Sequence, residues 1–294
     1  MSVFALKIVA TICMFLDHFG IVANAWGSIN YSSYCLLRGI GRIAFPIYSY
    51  LIVNGFFKSH NVNRYMSNLL MFAIIAQMPF TLALYPVNLM PIDQNEIISL
   101  FHFTGSIGII IFLTLGYWYL NKTKDNFFLL PLALVFSSIS LKIGHVWFLS
   151  SGNLNVFFTL TLGLLTIVGI HRIFNWNICR KKKILIVFLL GLGYRYILGR
   201  SDYGIAGVIL ITGIFLVRKK ILQMIYICVW ATVFYGLINQ NIYNALWSCS
   251  SVLLILLYNG KKGISMKYFF YLLYPIHLIL GGIINIYLRL LAYI

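Results

Sequence analysis

The sequence predicts an all-α fold: a polytopic transmembrane helix bundle of ten or eleven spanning helices, filling residues 1–294 as a single integral membrane domain, with the N-terminus in the cytoplasm. Three observations lead there. Hydrophobic residues make up 61% of the chain and charged residues 9%, where a soluble domain carries roughly 25% charged residues. Apolar runs long enough to cross a bilayer, about 20 residues each, recur from one end of the chain to the other. Loops rich in lysine and arginine also alternate with loops that have few or none.

The first run, 3–24, is longer than a signal-peptide core, and no small-residue cleavage site follows it, so it is expected to be a retained helix. The following spans are expected at 36–57, 65–87, 98–120, 127–143, 154–171, 184–199, 203–217, 221–238, 242–258 and 268–291. Basic clusters fall at 58–64, 122–124, 172–183, 218–220 and 261–267; basic-poor stretches fall at 24–34, 88–96, 144–153 and 237–244. Lysine and arginine concentrate on the cytoplasmic side of membrane proteins, which orients the bundle in the cell (inner) membrane. The spans around Gly199-Arg200-Ser201-Asp202 are short and broken, as in helices that line a cavity.

The formal charge is +17, yet no basic domain lies outside the membrane loops, which argues against a nucleic-acid partner. The five cysteines are scattered, with no CxxC pair and no histidine at ligand spacing, so no metal site is expected. Nucleophile-elbow, zinc-protease, phosphate-loop and dinucleotide motifs are missing as well. Aromatic residues, 17% of the chain, fit packing and an interfacial belt.

Against this background Asp17 and His18 stand out, because ionisable side chains at membrane depth are costly unless paired. Lys7 and His18 are eleven residues apart, about three helical turns, so they share one face and are separated by roughly 16 Å along the axis. That face offers a cation near the expected cytoplasmic mouth and a base at depth. Asp17 lies on the neighbouring flank, since adjacent residues do not face each other on a helix. Its natural partners are Arg38 and Arg42, spaced i,i+4 on the second span, with Arg42 reaching a similar depth. His277 reaches mid-membrane on the last span, in Tyr274-Pro275-Ile276-His277. Asp202 lies near the outer surface beside Arg195 and Arg200, as one half of a local ion pair or as a hold on an outside acceptor. Asp93, Glu96 and His102 belong to an outer loop or just inside it.

These blocks resemble the TraX family of integral membrane proteins, whose founding member acetylates the N-terminus of a conjugative pilin. The matching residues run from Leu6-Lys7-Ile8 to Leu16-Asp17-His18, then through Leu37-Arg38-Gly39-Ile40-Gly41-Arg42-Ile43-Ala44-Phe45-Pro46-Ile47 with Gly55-Phe56. They continue with Leu154-Asn155-Val156-Phe157-Phe158-Thr159-Leu160 and Asp202-Tyr203-Gly204-Ile205-Ala206-Gly207-Val208. The last are Tyr258-Asn259-Gly260-Lys261-Lys262-Gly263, Lys267-Tyr268-Phe269-Phe270-Tyr271 and Tyr274-Pro275-Ile276-His277. TraX proteins look like members of a wider group of transmembrane acyltransferases, in which a basic residue and a histidine on the first helix are separated by ten residues. Lys7 and His18 reproduce that spacing, with lysine where the related enzymes typically carry arginine.

The resemblance implies acetyl-CoA as a co-substrate bound from the cytoplasm, at Lys7 and neighbouring basic residues. It also implies a peptide or glycan acceptor presented at the membrane or outer face. Set on the residues above, His18 is the expected general base on the acceptor amine or hydroxyl. Asp17 and Arg42 hold a polar chamber, Arg38 or His277 stabilises the developing oxyanion, and Asp202 or Arg38 contacts the acceptor. Two alternatives remain at this stage. A proton-coupled transporter would use Asp17, His18 and His277 as a relay, although no internal repeat is evident. A non-catalytic assembly factor would tolerate charge-neutral replacement of Asp17 and His18.

Overall fold

The computed structural model describes residues 1–84, 142–143, 146–147, 154–175 and 201–292. In chain order these form α1 (Val3–Ala25), α2 (Tyr31–Gly41), α3 (Ala44–Lys58), α4 (Val62–Leu84), a small hairpin of β1 (Lys142–Ile143) and β2 (Val146–Trp147), and α5 (Val156–Asn175). Then come α6 (Gly204–Leu216), α7 (Lys220–Ala231), a π-helical segment (Thr232–Ile238), α8 (Ile242–Leu256) and α9 (Lys267–Ala292). Among the described residues five apolar stretches are long enough to cross a bilayer: Val3–Ala25, Tyr31–Lys58, Val62–Leu84, Lys220–Ile238 and Tyr268–Asn285. Three shorter apolar helices accompany them. The protein is thus an all-α, multi-pass membrane bundle. Eight of the eleven expected spans coincide with these elements. The spans expected at 98–120, 127–143 and 184–199 lie outside the described residues, except Lys142 and Ile143, which pair with Trp147 and Val146.

Two compact units emerge: Met1–Lys58 with Ile209–Ile294, and Ser59–Val208, the boundary falling inside α6. In the first unit α1 is packed by α2, α3 and α9. Helices α1 and α2 run antiparallel and touch closely. A Cβ on Gly41 would lie 2.3 Å from the Asp17 Cβ, and one on Gly20 would lie 2.9 Å from the Leu37 Cβ. Glycine is needed at both places to let the helices approach. Helices α1 and α9 run parallel, since their contacts climb together: Phe4 with Phe270, Phe15 with His277, and Trp26 with Asn285.

Side chains on the outward faces are apolar, as a lipid solvent requires. On α9, Leu272, Ile276, Ile279, Leu280 and Ile283 are exposed, while Tyr274 and Leu278 are buried inward.

The expected second span, 36–57, is broken at Arg42-Ile43. The Arg42 amide donates to the Gly39 carbonyl and the Ile43 amide to the Ile40 carbonyl, a tightened turn that ends α2. Gly39 and Gly41 before the break and Pro46 in the first turn of α3 are the residues that permit it.

The start of α1 is fixed by the segment after α8. Val3 and Phe4 donate their otherwise orphaned amides to the carbonyls of Lys261 (3.0 Å) and Lys262 (3.2 Å). Ser2 Oγ accepts from the Ala5 amide, and the Met1 amine donates to the Leu257 carbonyl. Gly263 sits at φ +71°, and a Cβ there would lie 2.5 Å from Ser2 Oγ, so this position requires glycine. Lys58 Nζ bonds the Tyr258 hydroxyl (3.0 Å) and the Gly260 carbonyl (2.9 Å); Lys220 Nζ bonds the carbonyls of Leu256 and Tyr258. These two amines sit where the negative end of the α8 dipole favours them.

In the second unit α4 packs on α5 around Asn155. Its Nδ2 donates to the Ala73 carbonyl (2.8 Å) and to Gln77 Oε1 (2.9 Å), and its Oδ1 caps α5 through the Phe157 amide (3.0 Å). Beside it, Leu154 and Ser201 form a parallel bridge, and the Asp202 amide donates to the Leu154 carbonyl at 2.9 Å.

Candidate functional site

Two faces of one turn of α1 carry the site. Toward α2, Asp17 Oδ1 accepts from Arg38 Nη1 at 2.8 Å and from Arg42 Nη2 at 3.3 Å. The expected partnership of Asp17 with the arginine pair is therefore present, with both guanidinium groups on the same oxygen. Arg42 stands at the α2–α3 break and is buried, its guanidinium 5.9 Å from the Tyr235 ring centroid. Tyr235 comes from the π-helical segment, an element that often marks functional positions.

Toward α9, His18 Nδ1 lies 2.7 Å from His277 Nε2. The ring centroids are 5.0 Å apart with 8° between planes. A nitrogen–nitrogen contact this short at that centroid spacing sets the rings edge to edge, nearly in one plane, the geometry of an in-line hydrogen bond rather than of face stacking. His277 Nδ1 lies 2.9 Å from the Leu273 carbonyl one turn back. Phe15 lies over the His277 ring, with centroids 4.2 Å apart, and Tyr274 closes on the edges of both imidazoles.

The protons in this chain follow from its end. A carbonyl oxygen can only accept, so His277 Nδ1 carries the hydrogen. In a neutral ring Nε2 then holds the lone pair, and His18 Nδ1 must be the donor. His18 Nε2 is left with its lone pair, the form a proton acceptor needs.

Lys7 occupies the same face three turns earlier. Its amine lies 5.3 Å from the Phe270 ring centroid, so it too faces α9. Between Lys7 and His18, Thr11 donates to the Lys7 carbonyl (2.7 Å), and Tyr48 lies 2.7 Å from Thr11 Oγ1. With the threonine hydrogen spent on the carbonyl, Tyr48 is the donor of the second bond. The two Lys261–Lys262 carbonyl bonds to α1 bring that basic segment to the Lys7 end of the helix.

His18, His277, Asp17, Arg38, Arg42 and Lys7 thus gather in one unit. Asp202 belongs to the second unit, is exposed, and accepts from Thr159 through its backbone carbonyl. Its sequence neighbours Arg195 and Arg200, and Asp93, Glu96 and His102, lie outside the described residues. Among the described residues no group of three or more His, Cys, Asp or Glu is placed to hold a metal.

Sequence reasoning passed over Tyr274, Phe15, Thr11, Tyr48 and Tyr235. Thr11 is four residues beyond Lys7 on the His18 face, and Tyr274 is one turn before His277, so helical spacing marks those two. Tyr48 and Tyr235 reach the site from other helices, and nothing in their local sequence marks them.

An integral membrane bundle with a histidine pair and an arginine-clasped carboxylate at depth defines a class of multi-pass membrane protein. The TraX protein family matches residues 2–101 and 93–285. The chain belongs to the TraX family. A segment is also 42% identical over 79 residues to the probable fimbrial assembly protein FimC, serogroup H1, of Dichelobacter nodosus. That match covers 27% of this chain and 31% of the relative. No solved structure matches.

Proposed function

We propose that this protein is a membrane acetyltransferase that takes an acetyl group from acetyl-CoA and passes it to an amine or hydroxyl of an exported acceptor. The amino terminus of a fimbrial or pilin subunit is the first acceptor to try, given the printed name of the FimC relative. The observation that carries the reading is the hydrogen-bond chain from the Leu273 carbonyl through His277 to His18, which leaves His18 Nε2 as an unprotonated base.

In the proposed reaction the acceptor arrives as a free amine. Its nitrogen attacks the thioester carbonyl while His18 Nε2 takes one of its protons. The new imidazolium is held by the His277 lone pair behind it. The oxyanion of the tetrahedral intermediate forms in the positive field of Arg38 and Arg42, which Asp17 keeps in place. Collapse breaks the carbon–sulfur bond, and the proton on His18 passes to the departing coenzyme sulfur. His277 acts here as a positioning residue and not as an oxyanion donor, because its Nε2 is taken up by His18. Lys7 and the lysines of the 261–262 segment stand at one end of α1 as ligands for the phosphates of the donor.

The test is acetyl transfer from labelled acetyl-CoA to an amino-terminal peptide by the purified protein in proteoliposomes, wild type against His18→Ala. Loss of a general base lowers turnover by about 10²–10⁴-fold. Equal transfer by a correctly inserted H18A protein would overturn His18 as the base, and no transfer by the wild type would favour a non-catalytic assembly factor.

A further inference from the structure

Two cysteine thiols meet where α7 packs on α8. The two helices run antiparallel. At one end Lys220 Nζ bonds the Leu256 carbonyl. Past the other end, on the π-helical segment, a Cβ on Gly236 would lie 3.9 Å from the Ala245 Cβ. That register sets Cys228 opposite Cys249. The Cys249 thiol donates to the Cys228 carbonyl at 3.7 Å, and it also meets the Cys228 thiol and the Thr232 hydroxyl. Both cysteines are half-buried. Cys249 lies one turn from Leu246 and one turn from Leu253, which are 65% and 66% exposed, and Cys228 lies one turn from Ile225, which is 54% exposed. Side chains three and four apart share a helix face, so the pair sits at the margin of an apolar, outward-facing stripe. Packing alone asks for no such meeting, since any small apolar residue fills the place of a cysteine. The chain separates the two by many residues, so spacing along the sequence does not reveal them as a pair.

We infer that Cys228 and Cys249 are a reversible oxidation site, a dithiol that a lipid-soluble oxidant of the quinone class converts to a disulfide. Two S–H bonds break and one S–S bond forms. Two electrons and two protons pass to the quinone, which leaves as the quinol. The product is neutral and has no hydrogen-bond donor, so it suits a bilayer as solvent. Oxidation follows access. Surrounding lipid admits an apolar oxidant and excludes a charged one, which sets this pair apart from thiols that exchange with a water-soluble pool. The bond joins α7 to α8 and closes the segment 229–248, which contains the π-helical segment and Tyr235. None of this depends on acetyl transfer.

The experiment uses the full chain in phosphatidylcholine nanodiscs, reduced first and then exposed to one of two quinones. One is a decyl benzoquinone, fully substituted so that it cannot add to thiols, which enters the bilayer. The other is its counterpart with a sulfonated chain, which stays in water. Remaining thiols are capped after denaturation, and peptide mass mapping locates each cap and each S–S link. With the decyl quinone, Cys228 and Cys249 are expected to be lost together as one link within the chain. The rate, relative to that of a small dithiol in solution, is expected to be about tenfold or more above that with the sulfonated quinone. A membrane-permeant thiol reductant is expected to restore both thiols. C228S and C249S are each expected to leave the other thiol of the pair capped, and C13S/C35S/C179S is expected to form the link as the wild type does. Because the link is read in the wild type, a fold defect in a variant does not decide the outcome. Both thiols still capped after quinone treatment overturns the inference, as does a link to another chain or another cysteine, or oxidation of one thiol without the other. Equal relative rates with the two quinones also overturn it, since the oxidant would then arrive from water.

Discussion

Replacing His277 with Met removes the acceptor behind His18 while keeping an apolar side chain of moderate size against Phe15 and Tyr274. In the resting protein the lost contact is one neutral N–H···N bond at 2.7 Å. During the proposed transfer the same bond becomes charge-assisted, because His18 turns into an imidazolium. A hydrogen bond to a charged group contributes about 1.5–3 kcal/mol. Only the part gained in the transition state slows the reaction, about 1–1.5 kcal/mol beyond the neutral bond, so turnover should fall about 5–13-fold, with a smaller change in KM. Gln at this position can offer an amide oxygen near the place of Nε2, and H277Q should recover part of the loss. The decisive arm is the double variant. If His277 works through His18, H18A/H277M transfers acetyl no more slowly than H18A alone, because the second change removes support from a base already gone. The assay is initial-rate transfer from labelled acetyl-CoA in proteoliposomes, with insertion checked by protease protection. Unchanged turnover in H277M, or losses that multiply in the double variant, would refute the positioning role.

Two further changes test the α1–α2 face. Gly41→Ala puts a methyl 2.3 Å from the Asp17 Cβ and 2.5 Å from its Oδ1, and should cost about 1–3 kcal/mol through overpacking, read as an earlier midpoint in detergent–SDS unfolding; an unshifted midpoint would mean that the close approach is relaxed in the protein. Asp17→Asn leaves two guanidinium groups without their carboxylate and, the site being only partly buried, should cost about 2–4 kcal/mol on the same scale. D17N/R42M should regain some of that loss, since Arg42 is the more buried cation; a further drop would point to a different role for Arg42.

Much of the bundle was legible because lipid imposes a simple rule: every backbone polar group is satisfied inside its own helix, so long apolar runs declare themselves. The expected 3–24 became Val3–Ala25, and 268–291 became Lys267–Ala292. The split of Asp17 from His18 was legible for the same reason, since a 100° step per residue places neighbours on different faces. Features made by contact between distant segments were not legible. The break at Arg42-Ile43 was hinted at by Gly39, Gly41 and Pro46, but an apolar stretch with three such residues also reads as a continuous span. The Leu154 and Asp202 blocks looked like separate motifs and turn out to be two sides of one backbone joint. The Tyr258-Asn259-Gly260-Lys261-Lys262-Gly263 block invited a reading through its lysine charges. Its backbone carbonyls do the structural part, closing the first turn of α1, while its lysine side chains stay exposed. Hydropathy and spacing describe side chains along one helix and say nothing of which carbonyl meets which amide.

The parallel course of α1 and α9 ties the site to the topology. Parallel packing explains how one face of α1 can be served by one partner throughout. Phe270 meets Lys7, His277 meets His18, and Asn285 meets Trp26. An antiparallel neighbour would bring the basic start of one helix to the far end of the other. Here Lys7 and the 261–262 segment lie at one end, where α9 also begins, and His18 with His277 lies three turns in. The opposite face of α1 meets α2 coming the other way, bringing Arg38 and Arg42 to Asp17. Basic residues at one end of α1 and the histidine pair three turns in therefore follow from the direction in which α9 runs, and the carboxylate clasp follows from the direction in which α2 returns.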